Sequence, residues 1–260
     1  MAFRYWQLGL HIQHEGIFIV ALQRGRSGWA LKRWWHLPLT VSSDQNDSAL
    51  LETLIPWRRE LPWQHTVSFA FPANRTLQKT LPLPTIALRE TEQKQWIAST
   101  MSQQLEMEPN ALCFDYYLAE PEGCWHVTAA QHNEVARLQR LAQQLRLQVA
   151  AITPDACALQ TFLPLLAENE TTLVWRDHQQ WLWANRKEWG HCSLTDIPSV
   201  SHLSARLAIS PEALVCCSSA LPSARYFDPW EAISQKYPPL PIGGEGFAVA
   251  IALAMGAPSI

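Results

Sequence analysis

Residues 6–23 read WQLGLHIQHEGIFIVALQ. Two apolar stretches, 6–12 and 17–22, flank a four-residue turn of Gln13, His14, Glu15 and Gly16. That pattern predicts a β-hairpin. GWALKRWWHL, residues 28–37, reads as a third strand and completes a meander. Folding such a sheet needs a sizeable core. The chain has the material: 260 residues, 48% hydrophobic and 17% charged, enough for one large domain or two lobes.

A net charge of −3 argues against a general nucleic-acid coat protein. Many of the thirteen tryptophans fall in strand contexts (Trp29, Trp34, Trp35, Trp181, Trp183), where wide rings cover a sheet. The opening MAFRYWQLGL lacks the charged and apolar regions of a signal peptide. The late apolar run over 247–255 is far short of a membrane span, so a soluble, intracellular chain is expected. The six cysteines show no CxxC spacing, and Cys216 and Cys217 are simple neighbours. Buried free thiols are expected rather than a disulfide framework or a zinc site.

Further along, 48–60 reads as a helix with Leu50, Leu51, Leu54 and Ile55 apolar and Pro56 ending or kinking it. The uncharged stretch 67–71 is expected as a strand buried on both faces. After a break at 72–74 come a strand (76–81), a helix (88–105), a hairpin (111–118 with 124–129) and a helix (131–146). A strand at 149–152 follows. Residues 77–148 thus form a β-α-β-β-α unit inserted within a larger sheet. Asp155 is placed as N-cap of a helix over 156–166. A hairpin (173–175 with 180–185), a helix (200–207) and a strand (214–217) come next. A flexible lead-in at 243–246 precedes a small closing helix.

Four segments carry a family resemblance. FAFPANRTLQKTLPLP (69–84) resembles the strand–Pro–strand stretch of the PilM family of pilus-assembly proteins, relatives of FtsA and actin. AITPDACAL (151–159), FDPWEAI (227–233) and FAVAIALAMG (247–256) resemble later segments of that family, in the same order. The resemblance implies an α/β (α+β mixed), actin-like two-lobed fold. Residues 1–76 and 149–165 would form subdomain 1A and 77–148 the inserted subdomain 1C. Residues 166–260 would be a reduced second lobe, 2A-like with 2B largely missing.

In such proteins the first hairpin carries an Asp and a small-residue turn that wraps phosphate. Here Gly9, His11, Gln13 and His14 occupy those positions, with Glu15 in the turn. The second phosphate strand, expected to carry Asp-x-Gly, holds Trp175 and Asp177. The adenosine Gly-Gly pair becomes Ser218 and Ser219. The resemblance and these departures from it imply a degenerate nucleotide site, no catalysis and no cofactor, with ATP bound weakly at best. It also implies a cytoplasmic scaffold, peripheral at the inner membrane. Its partner would be a PilN-like bitopic protein whose tail lies near Phe71, Pro72, Asn74 and Arg75.

Two rival readings are an active actin-like ATPase and a DNA-binding module. Arg24, Arg26, Lys32 and Arg33 interleaved with Trp34 and Trp35 are the nucleic-acid candidate. Strand alternation puts Arg33 and Trp35 on one face and Trp34 on the other, which works against it. His11 and His14 lack an evident carboxylate or thiol partner for a metal. GGEG at 243–246 opens a helix but follows a Pro-rich loop instead of a strand, so it is no dinucleotide fingerprint.

Overall fold

A computed structural model of the chain describes residues 5–39, 47–106, 108–119, 123–218, 225–237 and 239–256. The meander is β1 (Trp6–Ile12), β2 (Gly16–Gly25) and β3 (Gly28–Pro38), with a register shift at Ala21/Leu22. Helix α1 (Asp47–Arg59) runs through Pro56 instead of ending there and buries Leu50, Leu54 and Trp57. Strand β4 (His65–Phe71) pairs parallel with β1.

The chain then enters a separate compact unit, Arg75–Arg140. Strand β5 (Thr76–Pro82), helix α2 (Glu90–Leu105), strands β6 (Leu112–Ala119) and β7 (Cys124–Gln131), and most of helix α3 (His132–Gln144) belong to it. The sheet order is β5-β7-β6, antiparallel throughout. Alternation along β7 turns Trp125, Val127 and Ala129 inward, onto Leu81, Ile97, Met101 and Leu112. Trp96 of α2 meets Trp125 at 5.4 Å between ring centroids. From Leu141 the chain belongs to the main unit again.

Strand β8 (Val149–Pro154) pairs parallel with β4 and closes the first sheet, in the order β3-β2-β1-β4-β8. The single helix expected over 156–166 is instead the short α4 (Asp155–Ala158) followed by 3-10 turns over Leu159–Leu165. Pro164 supplies the reason: it has no N–H to bond the carbonyl four residues back, and its ring crowds that carbonyl. The N-cap is Pro154, and Asp155 is the first helical residue rather than the cap.

The second sheet has β9 (Thr172–Arg176), β10 (Gln180–Asn185), β11 (Trp189–Ser193), β12 (Leu214–Cys216) and β13 (Arg225–Tyr226). Its order is β11-β10-β9-β12-β13. Antiparallel pairing of the first three strands and parallel pairing of the last two repeat the pattern of the first sheet strand for strand. The main unit is thus two copies of one topology. Strands β11 and β13 were not foreseen. The first mixes Gly, His, Cys and Ser, and the second is two residues long, so neither carries a readable alternation. Between β11 and β12 stands the seven-residue helix α5 (Val200–Arg206), capped by Ser199. Ser219 and the residues to 224 lie outside the described residues.

One core joins the two sheets. It takes Val20, Leu22 and Ala70 from the first, Leu173, Trp175 and Leu182 from the second, and the closing helix α6 (Ala248–Met255) between them. Helix α6 is apolar all round, and Ala248 to Ala254 are all buried, as a helix without a polar face requires. Its alanines let it approach β1 closely. A Cβ on Gly9 would lie 1.9 Å from the Ala250 carbonyl oxygen. The glycine at this position therefore serves helix packing.

Candidate functional site: a cleft closed by the chain's own side chains

Two turns expected to grip phosphate lead the cleft: the β1–β2 turn at 13–15 and the β9–β10 turn at 177–179. They contact each other. His178 Nε2 lies 3.2 Å from Glu15 Oε1, and the His11 and Trp175 rings meet edge-on at 5.5 Å. Both rings are buried, at 5% and 2% exposure.

The segment Gly244–Phe247, entered through Gly243 in the left-handed region (φ +68°), fills the rest. Three consecutive carbonyls each accept a bond from a different element. Trp230 Nε1 donates to Gly244 at 3.1 Å, Trp175 Nε1 to Glu245 at 2.9 Å and Gln13 Nε2 to Gly246 at 2.8 Å. Ser218 Oγ donates to the Glu245 carboxylate at 2.7 Å. A Cβ at Gly246 would collide with the Phe18 ring at 2.6 Å, so only glycine seats the segment on β2. What was expected as a flexible lead-in is a plug held at four points.

The sequence-derived positions Gly9, His11, Gln13, Trp175 and Ser218 thus converge, but on the chain itself. Asp177 turns back into its own hairpin, accepting from the Gln179 and Gln180 N–H groups at 2.6 and 2.7 Å. His14 is exposed in the first turn. Among the described residues no group of three His, Cys, Asp or Glu gathers that would hold a metal ion. Glu245, Trp230 and Phe247 were not singled out from sequence. The stretch 243–246 was expected only as a flexible lead-in, and Trp230 and Phe247 entered only within the segments that carried the family resemblance.

Donors that the family resemblance would place on a nucleotide are already bonded within the chain. The Gln13 amide and the Ser218 hydroxyl are taken by Gly246 and Glu245, and the Trp175 indole lies where a small residue would be needed. A polyphosphate would also approach Glu15, Asp177 and Glu245, all acidic.

Two buried titratable groups, His11 and Asp155, lie in the main unit. Burial lowers the His11 pKa from 6.5 to about 3, so the ring is neutral and its Nδ1, 3.1 Å from Gln13 Nε2, acts as acceptor. Asp155 is pushed up from 3.8 to about 7: burial raises it, and the Ala73 and Ala156 N–H groups, which donate to it at 2.9 and 2.7 Å, only partly counter this. The charge of Asp177 adds to the rise.

The two act with opposite sign on stability. Between pH 6.5 and about 3 the unfolded chain takes a proton at His11 that the native state refuses, so stability falls as pH falls. Between pH 3.8 and about 7 the native state keeps a proton at Asp155 that the unfolded chain releases, so that contribution falls as pH rises. Asp155→Asn keeps an oxygen acceptor for the two N–H groups and removes the titration. Its melting temperature relative to the parent is expected to rise between pH 5 and pH 8, by the equivalent of about 1–4 kcal/mol. A difference independent of pH would show that Asp155 is ionised throughout.

The partner-binding candidates are scattered in character. Phe71 is 3% exposed at the end of β4 and belongs to the interior, Pro72 is half-buried, and Asn74 is exposed. Arg75 pairs with Glu134 at 3.2 Å inside the smaller unit. Part of the basic stripe of the meander is engaged. Arg33 bonds Glu60 at 2.7 Å and lies over Trp35, whose indole also donates to Glu60. Trp34 donates to the Pro239 carbonyl and packs on Phe247.

The chain matches no protein-family model. It is 45% identical over 261 residues to the DNA utilization protein HofM of Escherichia coli K12, covering 98% of this chain and 99% of that protein. It superposes on a solved structure of the PilM–PilN type IV pilus biogenesis complex with a TM-score of 0.71 at 16% identity, over 99% of this chain and 100% of that one. On the cytoplasmic domain of EpsL, an inner-membrane component of the type II secretion system of Vibrio cholerae, the TM-score is 0.60 at 12% identity, over 95% and 92%.

Proposed function

The chain belongs to the HofM family and has the fold of PilM and of the EpsL cytoplasmic domain, and from this we propose that it is a non-enzymatic scaffold of a pilus-like or secretion-like envelope machine. Its proposed setting is the cytoplasmic face of the inner membrane and its proposed role the use of external DNA, a reading supported by its likeness to a protein named for DNA utilization. No helix among the described residues is long and apolar enough to cross a membrane. The likeness to the PilM–PilN complex supports a PilN-like partner, and the proposed contact is a short cytoplasmic tail of that partner.

One observation carries the non-enzymatic reading: the plug at Gly244–Phe247, bonded by Trp230, Trp175, Gln13 and Ser218. It supports a main unit closed by its own residues where an actin-like enzyme would be closed by nucleotide. Such a unit is a rigid platform, which suits capture of a disordered tail, since the ordering cost then falls on the tail alone.

Calorimetry tests both parts. Magnesium ATP is expected to give no micromolar binding and no hydrolysis, and micromolar affinity would overturn the closed-cleft reading. A synthetic peptide of the N-terminal tail of a PilN-like protein is expected to bind. Arg75→Glu should weaken it while leaving the melting temperature within a few degrees, because the Arg75–Glu134 pair is half-exposed and contributes about 1 kcal/mol or less. Unchanged affinity in that variant would remove the 72–75 segment from the docking site.

A further inference from the structure

The opposite end of the first sheet carries a different surface. Strands β1, β4 and β8 run parallel, with the plugged cleft toward their C-terminal ends. At their N-terminal ends stand Tyr5, just before β1, Trp63, two residues before β4, and Val149, the first residue of β8. They are 39%, 88% and 41% exposed. Backbone bonds fix them as neighbours: Trp6 N–H donates to the Gln64 carbonyl and Val67 N–H to that of Gln148. Antiparallel β2 ends here as well, so its turn into β3 brings exposed Arg24 and Arg26 to the same rim.

Arg58 and Arg59 close α1 on the approach to Trp63. Arg58 donates to the carbonyls of Leu145 and Arg146, which seats exposed Arg146 beside it. Nearby Glu60 is neutralised by Arg33. Five arginines therefore gather at one end of a sheet in a chain of net charge −3.

We propose that this rim docks directly on an anionic bilayer surface, with Trp63 entering the headgroup layer and the arginines facing lipid phosphates. Tryptophan and tyrosine favour the membrane–water interface, and basic side chains are drawn to an anionic leaflet. Trp63 has little protein around it to pack on, and an interfacial site is where such a ring is stable. Single-stranded nucleic acid would need successive open aromatic platforms. Here Trp29 is covered by the Arg24 guanidinium at 5.6 Å and Trp35 by that of Arg33 at 5.3 Å. The remaining aromatic anchors are separated along a rim formed by several different connections, which suits a plane better than a strand.

The test is flotation of the full chain with vesicles of phosphatidylethanolamine and phosphatidylglycerol, with phosphatidylcholine vesicles and a labelled single-stranded oligonucleotide in parallel. The anionic vesicles are expected to carry the protein at low salt and release it at high salt, and the neutral ones to carry little. Arg26→Glu combined with Arg59→Glu should lower the bound fraction at least about tenfold, and Trp63→Ser several-fold, with circular dichroism unchanged. Equal recovery on neutral vesicles, or salt-independent recovery of the parent, would overturn the proposal even if the variants failed to fold. So would retention by both folded variants. Oligonucleotide binding without flotation would overturn it and assign the rim to nucleic acid. No partner protein is present, and none of these results bears on the closed cleft.

Discussion

Gly9→Ala is expected to abolish stable folding or to lower the melting temperature by roughly ten degrees or more, the largest effect of any single methyl group in this chain. The new Cβ would lie 1.9 Å from the Ala250 carbonyl oxygen, 2.7 Å from the Ala254 nitrogen and 2.8 Å from Leu253 Cβ. Two of these three atoms are backbone of α6, so no rotamer change relieves the overlap, and the helix itself must move off the sheet. Overpacking of a core costs about 1–3 kcal/mol when side chains can adjust and more when they cannot. For a chain of this size each kcal/mol corresponds to about 2–4 °C. Gly25→Ala is the matched control. It meets one atom, at 3.6 Å, and should leave the melting temperature nearly unchanged. Equal, small shifts in the two variants would mean that α6 is not seated on β1 as described.

Trp175→Ala should cost about 3–5 kcal/mol by urea denaturation, the range for removing a buried aromatic side chain. Trp175 is 2% exposed, meets His11 edge-on and donates to the Glu245 carbonyl. Truncation removes packing and one of the two donors to the Glu245 carbonyl, the other being the Ala248 N–H. Trp175→Phe separates the two contributions. It keeps most of the apolar area and loses the N–H, so a cost of about 1–2 kcal/mol is expected. If Phe were as damaging as Ala, the hydrogen bond to the plug would outweigh the packing. A negligible cost for both would remove Trp175 as the joint between the second hairpin and the plug.

Much of the architecture could be read from residue patterns because the patterns are local. The meander, α1, β4 and the smaller unit follow from periodicities of 2 and 3.6 and from Gly and Pro breaks. The strand expected over 124–129 is β7, and its inward face of Trp125, Val127 and Ala129 became visible only in the structure. Where the local signal was weak, the reading stopped. Strand β13 is two residues long, and β11 interleaves Gly, His and Cys, so both exist because a neighbouring strand is there to pair with. The helix expected over 156–166 fails for a local reason that was legible, Pro164, and for a tertiary one that was not, since the Asp155 carboxylate is drawn to the Ala73 N–H, 82 residues away.

By itself the sequence determined the family and the mixed α/β class, and it put His11, Gln13, Trp175 and Ser218 where the resemblance expects phosphate-gripping residues, because those are statements about which side chains occupy which positions in order. Only the tertiary structure decided what those residues do instead. Read along the chain, 243–246 is a glycine-rich segment after prolines, and glycine lowers local order. Its rigidity comes from donors brought in over large separations, Gln13 from 233 residues away and Trp175 from 70. The same holds for the basic rim, whose arginines come from three distant stretches and become one surface because parallel strands start side by side. Long-range hydrogen bonds and charge clusters leave no periodicity in the sequence, so they become visible once the strands are ordered in the sheet.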